Sequence, residues 1–127
     1  IGINRSDLIY LFHDTVLKDF KKKPVFYSMN FPILADILWE QRDKRSCCIV
    51  FNYNKEGFRT NPNIENIKRY INKYKKNETI AMSLFSGGSS NSLKETLYDV
   101  PSLSGVLFGS SNKKNIEENI RILEDIH

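Results

Sequence analysis

Five short apolar runs alternate with helix-favouring stretches along the chain, and this alternation restricts the fold more than any other feature. Each run is rich in β-branched, leucine or aromatic residues without a polar face, which is typical of a buried strand. The runs predict strands over 7–12, 25–28, 47–51, 79–85 and 106–108. Strands that are apolar on both faces and alternate with helices predict a parallel sheet in an α/β fold.

The predicted helices follow the strands in turn. They cover 15–22, 33–42, 64–75, 92–98 and a C-terminal stretch in which Ile116, Ile120 and Leu123 recur at helical spacing. The length of 127 residues suits one domain over 1–127. Five parallel βα units can form an open sheet or part of a (β/α)₈ barrel. A complete TIM-type barrel needs roughly 250 residues, so the chain corresponds to about half of one.

Polar residues follow every predicted strand, and the carboxyl ends of parallel strands are where α/β folds bind their ligands. These positions include His13, Asn30, Asn52, Asn54, Ser86 and Ser110. In the last unit, Gly109 permits a sharp turn and Ser110, Ser111 or Asn112 can cap the next helix. The N–H groups at such a helix start favour phosphates and other anions. An ordinary capped βα turn is the alternative interpretation.

Composition excludes several classes of function. The formal net charge is +4, but the lysines are scattered or sit in short runs, and they do not alternate with exposed aromatics as in nucleic-acid binding proteins. Cys47 and Cys48 lie in an apolar run and are expected to be buried thiols. With only two histidines, a zinc site is not expected. Free thiols favour a reducing compartment, so a cytoplasmic location is expected. The lack of a long apolar segment predicts no membrane association.

The strand ends taken together resemble those of a known family. Tyr-Leu-Phe-His at 10–13, Met-Asn-Phe at 29–31, Phe-Asn-Tyr-Asn at 51–54, the segment 80–88 and the segment 106–112 resemble, in order, the last five strands of the aldo-keto reductases. The most specific parts are the loop that ends in Gly87-Gly88, and Gly-Ser-Ser-Asn at 109–112 followed by Glu118-Asn119. The resemblance spans nearly the whole chain.

This resemblance implies a (β/α)₈ barrel that reduces aldehydes and ketones with NADPH. A tyrosine would supply the proton, assisted by a lysine and an aspartate, and a histidine would orient the carbonyl group. His13 matches that histidine and is the one candidate catalytic residue. The tyrosine, lysine and aspartate belong to the first three strands of the barrel, which this chain lacks. Alternatively, His13 caps the sheet against Asp14.

The resemblance also implies cofactor contacts, with NADP(H) as the expected cofactor. Asn30 matches the asparagine that holds the nicotinamide carboxamide, although it also suits a plain turn. The other candidate cofactor-binding residues are Ser83, Ser110 and Asn112 in the last two loops, and Glu118 and Asn119 at the adenine end. Several positions depart from the family, because polar, stacking or basic residues are replaced by Met29, Val50, Met82 and Asn115. The loop 86–90 fits either a pyrophosphate cradle or a flexible connection.

Two functions from different classes follow. The first is an aldo-keto-reductase-like domain that is incomplete or inactive by itself, so whether it is an enzyme stays open. It would require a missing N-terminal half-barrel or a second copy, and would act on small carbonyl substrates if active. The alternative is a non-catalytic binding or oligomerisation module that retains the barrel fold. A flavodoxin-like domain is disfavoured because 13–16, after the first predicted strand, contains no glycine for a phosphate loop.

Overall fold

A computed structural model of the chain describes residues 5–40, 45–85 and 91–126. The described strands are β1 Val25–Ser28, β2 Cys48–Asn52, β3 Glu78–Met82 and β4 Gly105–Leu107. The helices are α1 Ser6–Lys18, α2 Phe31–Ala35, α3 Ile64–Lys73, α4 Asn91–Asp99 and α5 Lys113–Ile126, and α2 continues directly into a π-helix at Asp36–Glu40. None of these described helices combines the length and apolar character needed to cross a membrane.

The four described strands form one parallel sheet in the order β1-β2-β3-β4. The register pairs Tyr27 with Val50 and Val50 with Ile80, and Ile80 pairs with Gly105. The predicted α/β class with a parallel sheet is therefore confirmed. The predicted strand at 25–28 is confirmed residue for residue, and the later strands begin or end within a few residues of their predicted bounds.

The predicted first strand is wrong, because residues 7–12 lie within the helix α1. The separate helix predicted over 15–22 is also wrong, since α1 runs on without a break to Lys18. The physical reason is that a short apolar run cannot by itself distinguish a strand from a helix that packs along one side. In α1, Ile9 packs against the core while Leu8 and Leu11 are 51% and 63% exposed.

The helices pack against one face of the sheet, which we call the helix face. Each strand pairs with the next along the chain, and because parallel connections are almost always right-handed, their helices are expected on the same side. Phe31 of α2 stacks on Phe51 of β2 with ring centroids 4.2 Å apart, and both side chains are fully buried or nearly so. Phe12 of α1 contacts Phe26 of β1 edge-to-face at 5.1 Å on the same side. The buried stack of Phe31 on Phe51 and the more exposed contact of Phe12 with Phe26 attach α2 and α1 to this face.

The opposite face of the sheet is mostly apolar and only partly covered. We call it the open face, and as the register places them its residues are Val25, Tyr27, Cys48, Val50, Asn52, Glu78, Ile80, Met82, Gly105 and Leu107. Val25, Tyr27 and Leu107 are each more than half exposed, and Val50, Ile80 and Met82 are half-buried. The exposure of this many apolar side chains on one face is unusual for an isolated domain, and such patches commonly mark binding surfaces.

A network around Asp36 joins the π-helix to α3. The Asp36 carboxylate accepts hydrogen bonds from the Tyr70 hydroxyl at 2.6 Å, the Tyr74 hydroxyl at 2.7 Å and Lys73 Nζ at 3.0 Å. Partial burial opposes ionisation of Asp36, but these three donors outweigh it, and the pKa of the carboxyl group is lowered. The helix predicted over 33–42 is confirmed as far as Glu40, where it consists of the end of α2 and the π-helix. Residues 41–42 lie outside the described residues.

Candidate ligand site at the carboxyl edge of the sheet

The carboxyl ends of the four strands lie along one edge of the sheet, and three of them are in register there. Asn52, the last residue of β2, pairs with Met82 of β3, and Met82 pairs with Leu107 of β4. All three side chains project from the open face, because alternate residues of a strand share a face. The residues that follow these strands therefore surround a common space.

Asn52 is the centre of a hydrogen-bonded chain at this edge. Ser83 Oγ donates to Asn52 Oδ1 at 2.6 Å, and Asn52 Nδ2 donates to the Tyr27 hydroxyl oxygen at 2.9 Å. The Tyr27 hydroxyl in turn donates to Met29 Sδ at 2.9 Å, which Asn52 Nδ2 also approaches at 3.5 Å. We call Tyr27, Asn52 and Ser83 the polar chain. Asn52 is only 4% exposed, and these partners satisfy its amide in that buried position.

Ser83 adopts a backbone conformation that is uncommon for a residue with a side chain. Its φ is +62°, in the left-handed region that favours glycine. This conformation ends β3 at Met82, which is why the strand is shorter than the predicted 79–85. Such backbone strain is frequently found at ligand sites. Here it accompanies the contact that Ser83 Oγ makes with Asn52.

A pocket of about 530 Å³ opens beside Ser83 between the ends of β3 and β4. We call it the edge pocket, and its lining is Phe58, Met82, Ser83, Leu84, Phe85, Leu107, Phe108 and Gly109. The Phe85 and Phe108 rings meet nearly at right angles, with centroids 6.1 Å apart. The volume lies within the range of small-molecule sites, which are mostly apolar with a few placed polar groups.

Asn54 positions the loop that brings Phe58 to the edge pocket. Its side chain is fully buried, accepts a bond from the Phe58 amide at 2.8 Å and donates to the Phe58 carbonyl oxygen. Gly57, with φ of +77°, supplies the turn between them. Asn54 thus acts on the pocket indirectly, by holding the backbone of Phe58.

The predicted cofactor-binding residues divide between this edge and the start of α5. Asn30 follows β1, where its Oδ1 caps α2 by accepting from the Ile33 amide at 3.5 Å, and Ser83 belongs to the polar chain. Ser110 Oγ accepts from the Asn112 amide at 3.1 Å, and Asn112 Oδ1 accepts from the Lys114 amide at 2.9 Å. These two side chains therefore build the N-terminal cap of α5.

Glu118 and Asn119 lie further along α5, on different sides of the helix. Glu118 is exposed, whereas Asn119 is 5% exposed. The predicted loop at 86–90 lies outside the described residues. Sequence reasoning missed Tyr27 and Phe58 as site residues, and it noted Asn52 only as one of the polar residues at a strand end. Asn52 lies two residues after Val50, and alternate residues of a strand share a face, so the sequence could have placed Asn52 on the same face as Val50.

His13 is not brought together with the other predicted site residues. It lies within α1, with Nε2 3.2 Å from the carbonyl oxygen of Ser46, and Ser46 precedes β2. This contact places the imidazole at the amino end of the sheet, opposite to the edge pocket. Nδ1 is 3.0 Å from Asp14 Oδ1, and Arg45 contacts both side chains. His13 is 3% exposed, so this arrangement ties α1 to the segment that enters β2.

Acid is expected to weaken this attachment of α1. The hydrogen bond with His13, with further contributions from Lys18 and Arg45, lowers the pKa of Asp14 to about 2. A carboxyl group with a depressed pKa in the folded state contributes stability that is present above about pH 4 and is lost as the pH falls toward 2. We expect the urea midpoint of Asp14→Asn to lie below that of the unmodified chain at pH 7, and the difference to narrow as the pH falls from about 4 toward 2. Asp19→Asn, on an exposed side chain, is the control, and equal pH profiles for Asp14→Asn and the unmodified chain would contradict the prediction.

Tyr53 and Cys47, which are buried, are poorly suited to acid–base or nucleophilic chemistry. Burial raises the pKa of Tyr53 to about 12, and burial likewise raises the pKa of Cys47 to about 11. A catalytic acid works best when its pKa is near the working pH, and a nucleophilic cysteine needs a lowered pKa. Within the described ranges, no group of three or more His, Cys, Asp or Glu side chains has the arrangement needed to hold a metal ion.

The chain was compared with known protein families, curated proteins and solved structures. Neither a protein-family model, nor a curated protein, nor a solved structure gives a significant match to the chain. The carboxyl edge of the sheet therefore has to be interpreted from its own residues.

Proposed function

We propose that the chain is an aldo-keto-reductase-like part of a (β/α)₈ barrel that binds a nucleotide cofactor of the NADP(H) type at its carboxyl edge. The observation that carries the proposal is the strand order, because four parallel strands follow one another in chain order. Doubly wound sheets instead reverse direction at a switch point and carry helices on both faces. A sheet that advances in one direction with its helices on one face is typical of a barrel wall.

The open face supports this proposal. In a (β/α)₈ barrel the side chains opposite the helices fill the interior in layers, and bulky branched residues dominate there. Val50 and Ile80 occupy one register layer of the open face, and Met82 lies in the next. These half-buried apolar side chains would become fully buried if further strands closed the barrel. The proposed partner is accordingly an N-terminal half-barrel that supplies those strands.

The residues at the carboxyl edge fit such a nucleotide in part. Ser110 and Asn112 lie just before α5, beside helix N–H groups that favour a phosphate, and Asn30 and Ser83 lie just after β1 and β3. Glu118 and Asn119 would contribute at the adenine end. Bound NADPH would supply hydride. The residues of this chain would bind and orient it, while the family's proton-donating tyrosine has no counterpart in this sequence.

We expect saturable binding of NADPH to the purified chain, detected by nucleotide fluorescence or calorimetry. Ser110→Glu places a negative charge beside the proposed phosphate contact and should weaken binding by about tenfold or more, because like charges at close range repel. Asn72→Glu adds the same negative charge on the exposed side of α3 and should leave NADPH binding unchanged. Equal effects of the two variants would contradict the proposed site.

Carbonyl reduction by the chain alone is not expected. His13 lies at the end of the sheet opposite to the edge pocket, and proton donation requires a group within hydrogen-bonding reach of the substrate. The purified chain should therefore not oxidise NADPH with nitrobenzaldehyde as substrate. Turnover that is abolished by His13→Ala would show that a complete active site forms without further strands.

A second candidate is a non-catalytic assembly module. The observation that favours it is the combination of a half-exposed, mostly apolar open face with two outer strands: within the described part of the chain, β1 and β4 each pair on one side only. Unpaired strand edges are ready templates for another chain. A stable oligomer in light scattering together with no NADPH binding would support this function over the first.

A further inference from the structure

The edge pocket combines an aromatic corner with one strained polar residue. Phe85 and Phe108 stand at an interplanar angle of 82°, and Phe58 completes the aromatic part of the lining. Aromatic rings favour edge-to-face and offset contacts with a further ring. A flat aromatic ligand can therefore contact these rings in a way that a flexible aliphatic chain cannot.

The lining also determines what charge the ligand can carry. Of the described residues that line the edge pocket, Ser83 is the one with a polar side chain, and none is ionisable. Removing a charged group from water without an opposite charge is costly. The lining therefore favours an uncharged ligand over a phosphate or a carboxylate.

The polar chain determines the kind of hydrogen bond that the ligand should form. Every donor in it points away from the edge pocket: the Ser83 hydroxyl donates to Asn52, Asn52 donates to Tyr27, and Tyr27 donates to Met29. The Ser83 hydroxyl proton is thus already used, and its oxygen retains lone pairs that can accept. Hydrogen bonds that run in one direction polarise one another, which strengthens the acceptor at the open end of the series.

We propose that the edge pocket binds an uncharged planar aromatic ring that carries an O–H or N–H donor. The ring contacts Phe58, Phe85 and Phe108, and the donor group binds Ser83 Oγ. This site stands on the lining and on the direction of the polar chain. It shares Ser83 with the proposed NADP(H) contacts, but the observations that support it do not depend on them.

The test compares two probes that differ in the donor alone. 2-Naphthol carries a hydroxyl group, whereas 2-methoxynaphthalene has the same ring system with the proton replaced by methyl. In calorimetric or fluorescence titrations of the full chain, 2-naphthol should bind about fivefold more tightly, as expected for one hydrogen bond. Inorganic pyrophosphate should not displace it. Equal affinity for the two naphthalenes, no saturable 2-naphthol binding, or displacement by pyrophosphate would each overturn the proposal.

Variants separate the ring contact from the hydrogen bond. Ser83→Gly removes the hydroxyl and tolerates φ of +62° better than serine, so the fold should persist while the preference for 2-naphthol disappears. Phe108→Ala should weaken both probes to the same degree. Phe20→Ala, which removes a ring that is 67% exposed and does not line the pocket, should change neither. Retention of the preference in Ser83→Gly would contradict the assigned acceptor. NADPH is titrated separately, so this result and the nucleotide result can fail independently.

Discussion

Replacing Phe31 with alanine is expected to lower the free energy of unfolding by about 3–5 kcal/mol. Phe31 is fully buried and stacks on Phe51 with the ring planes 14° apart. Its other sides contact Trp39 and Tyr70 edge-to-face at 6.2 and 6.4 Å. Its removal would leave a cavity between α2, β2 and α3 that the surrounding rings cannot fill without leaving their own contacts.

Urea unfolding followed by circular dichroism measures this effect. Phe20→Ala is the matched control, because its ring is 67% exposed and its loss should change the free energy of unfolding by about 0.5 kcal/mol or less. A loss of less than about 1 kcal/mol for Phe31→Ala would show that the ring does not occupy the centre of the core.

Asp36→Asn is expected to destabilise the chain by about 2 kcal/mol, since hydrogen bonds to a charged acceptor are stronger than those to an amide. The substitution keeps the shape of the side chain. It removes the charge that binds Lys73, and it turns an amide N–H₂ toward one of the two tyrosine hydroxyls that now donate to the carboxylate. That hydroxyl group would then have to reorient or lose its partner.

Glu40 provides the control for Asp36, because it binds the same Lys73 Nζ at 3.1 Å from a more exposed position. Glu40→Gln should cost about 0.5 kcal/mol or less, as is usual for exposed ion pairs. The lowered pKa of Asp36 adds a further test. Its contribution to stability is present at neutral pH and is lost as the pH falls below about 4. The difference between Asp36→Asn and the unmodified chain should therefore narrow in acid, and a difference that is constant with pH would contradict this role for the carboxylate.

Phe31 and Asp36 both hold in place the segment that follows β1. Phe31 directly follows Asn30, and Asp36 lies at the start of the π-helix that continues from α2. Both side chains attach this region to β2 or α3. The carboxyl edge is thus supported by a packed and hydrogen-bonded layer on the helix face, as a precise binding site requires.

Much of the fold could be predicted from local patterns. The pattern predicts β1 with its observed bounds, because Pro24 precedes a run of four residues that favour a strand. It also predicts α3, because Ile64, Ile67 and Ile71 recur at helical spacing. The strand predicted over 7–12 was wrong, because the apolar residues of this run suit a strand and a helix equally well. Only packing decides between them. In α1, Phe12 contacts Phe26 from the helix face instead of joining the sheet beside it.

The sequence by itself determined the α/β class, the parallel sheet and the polar residues that follow β1, β2 and β4, because hydrophobic periodicity and turn residues act over a few positions of the chain. The tertiary structure alone decided which of those residues meet. Asn52 and Ser83 are 31 positions apart, and Tyr27 lies 25 positions before Asn52, yet one edge brings all three into hydrogen-bonding contact. His13 was separated from them in the same way, since its helix attaches to the other end of the sheet. Such distances depend on strand register and crossover direction, which no local pattern records.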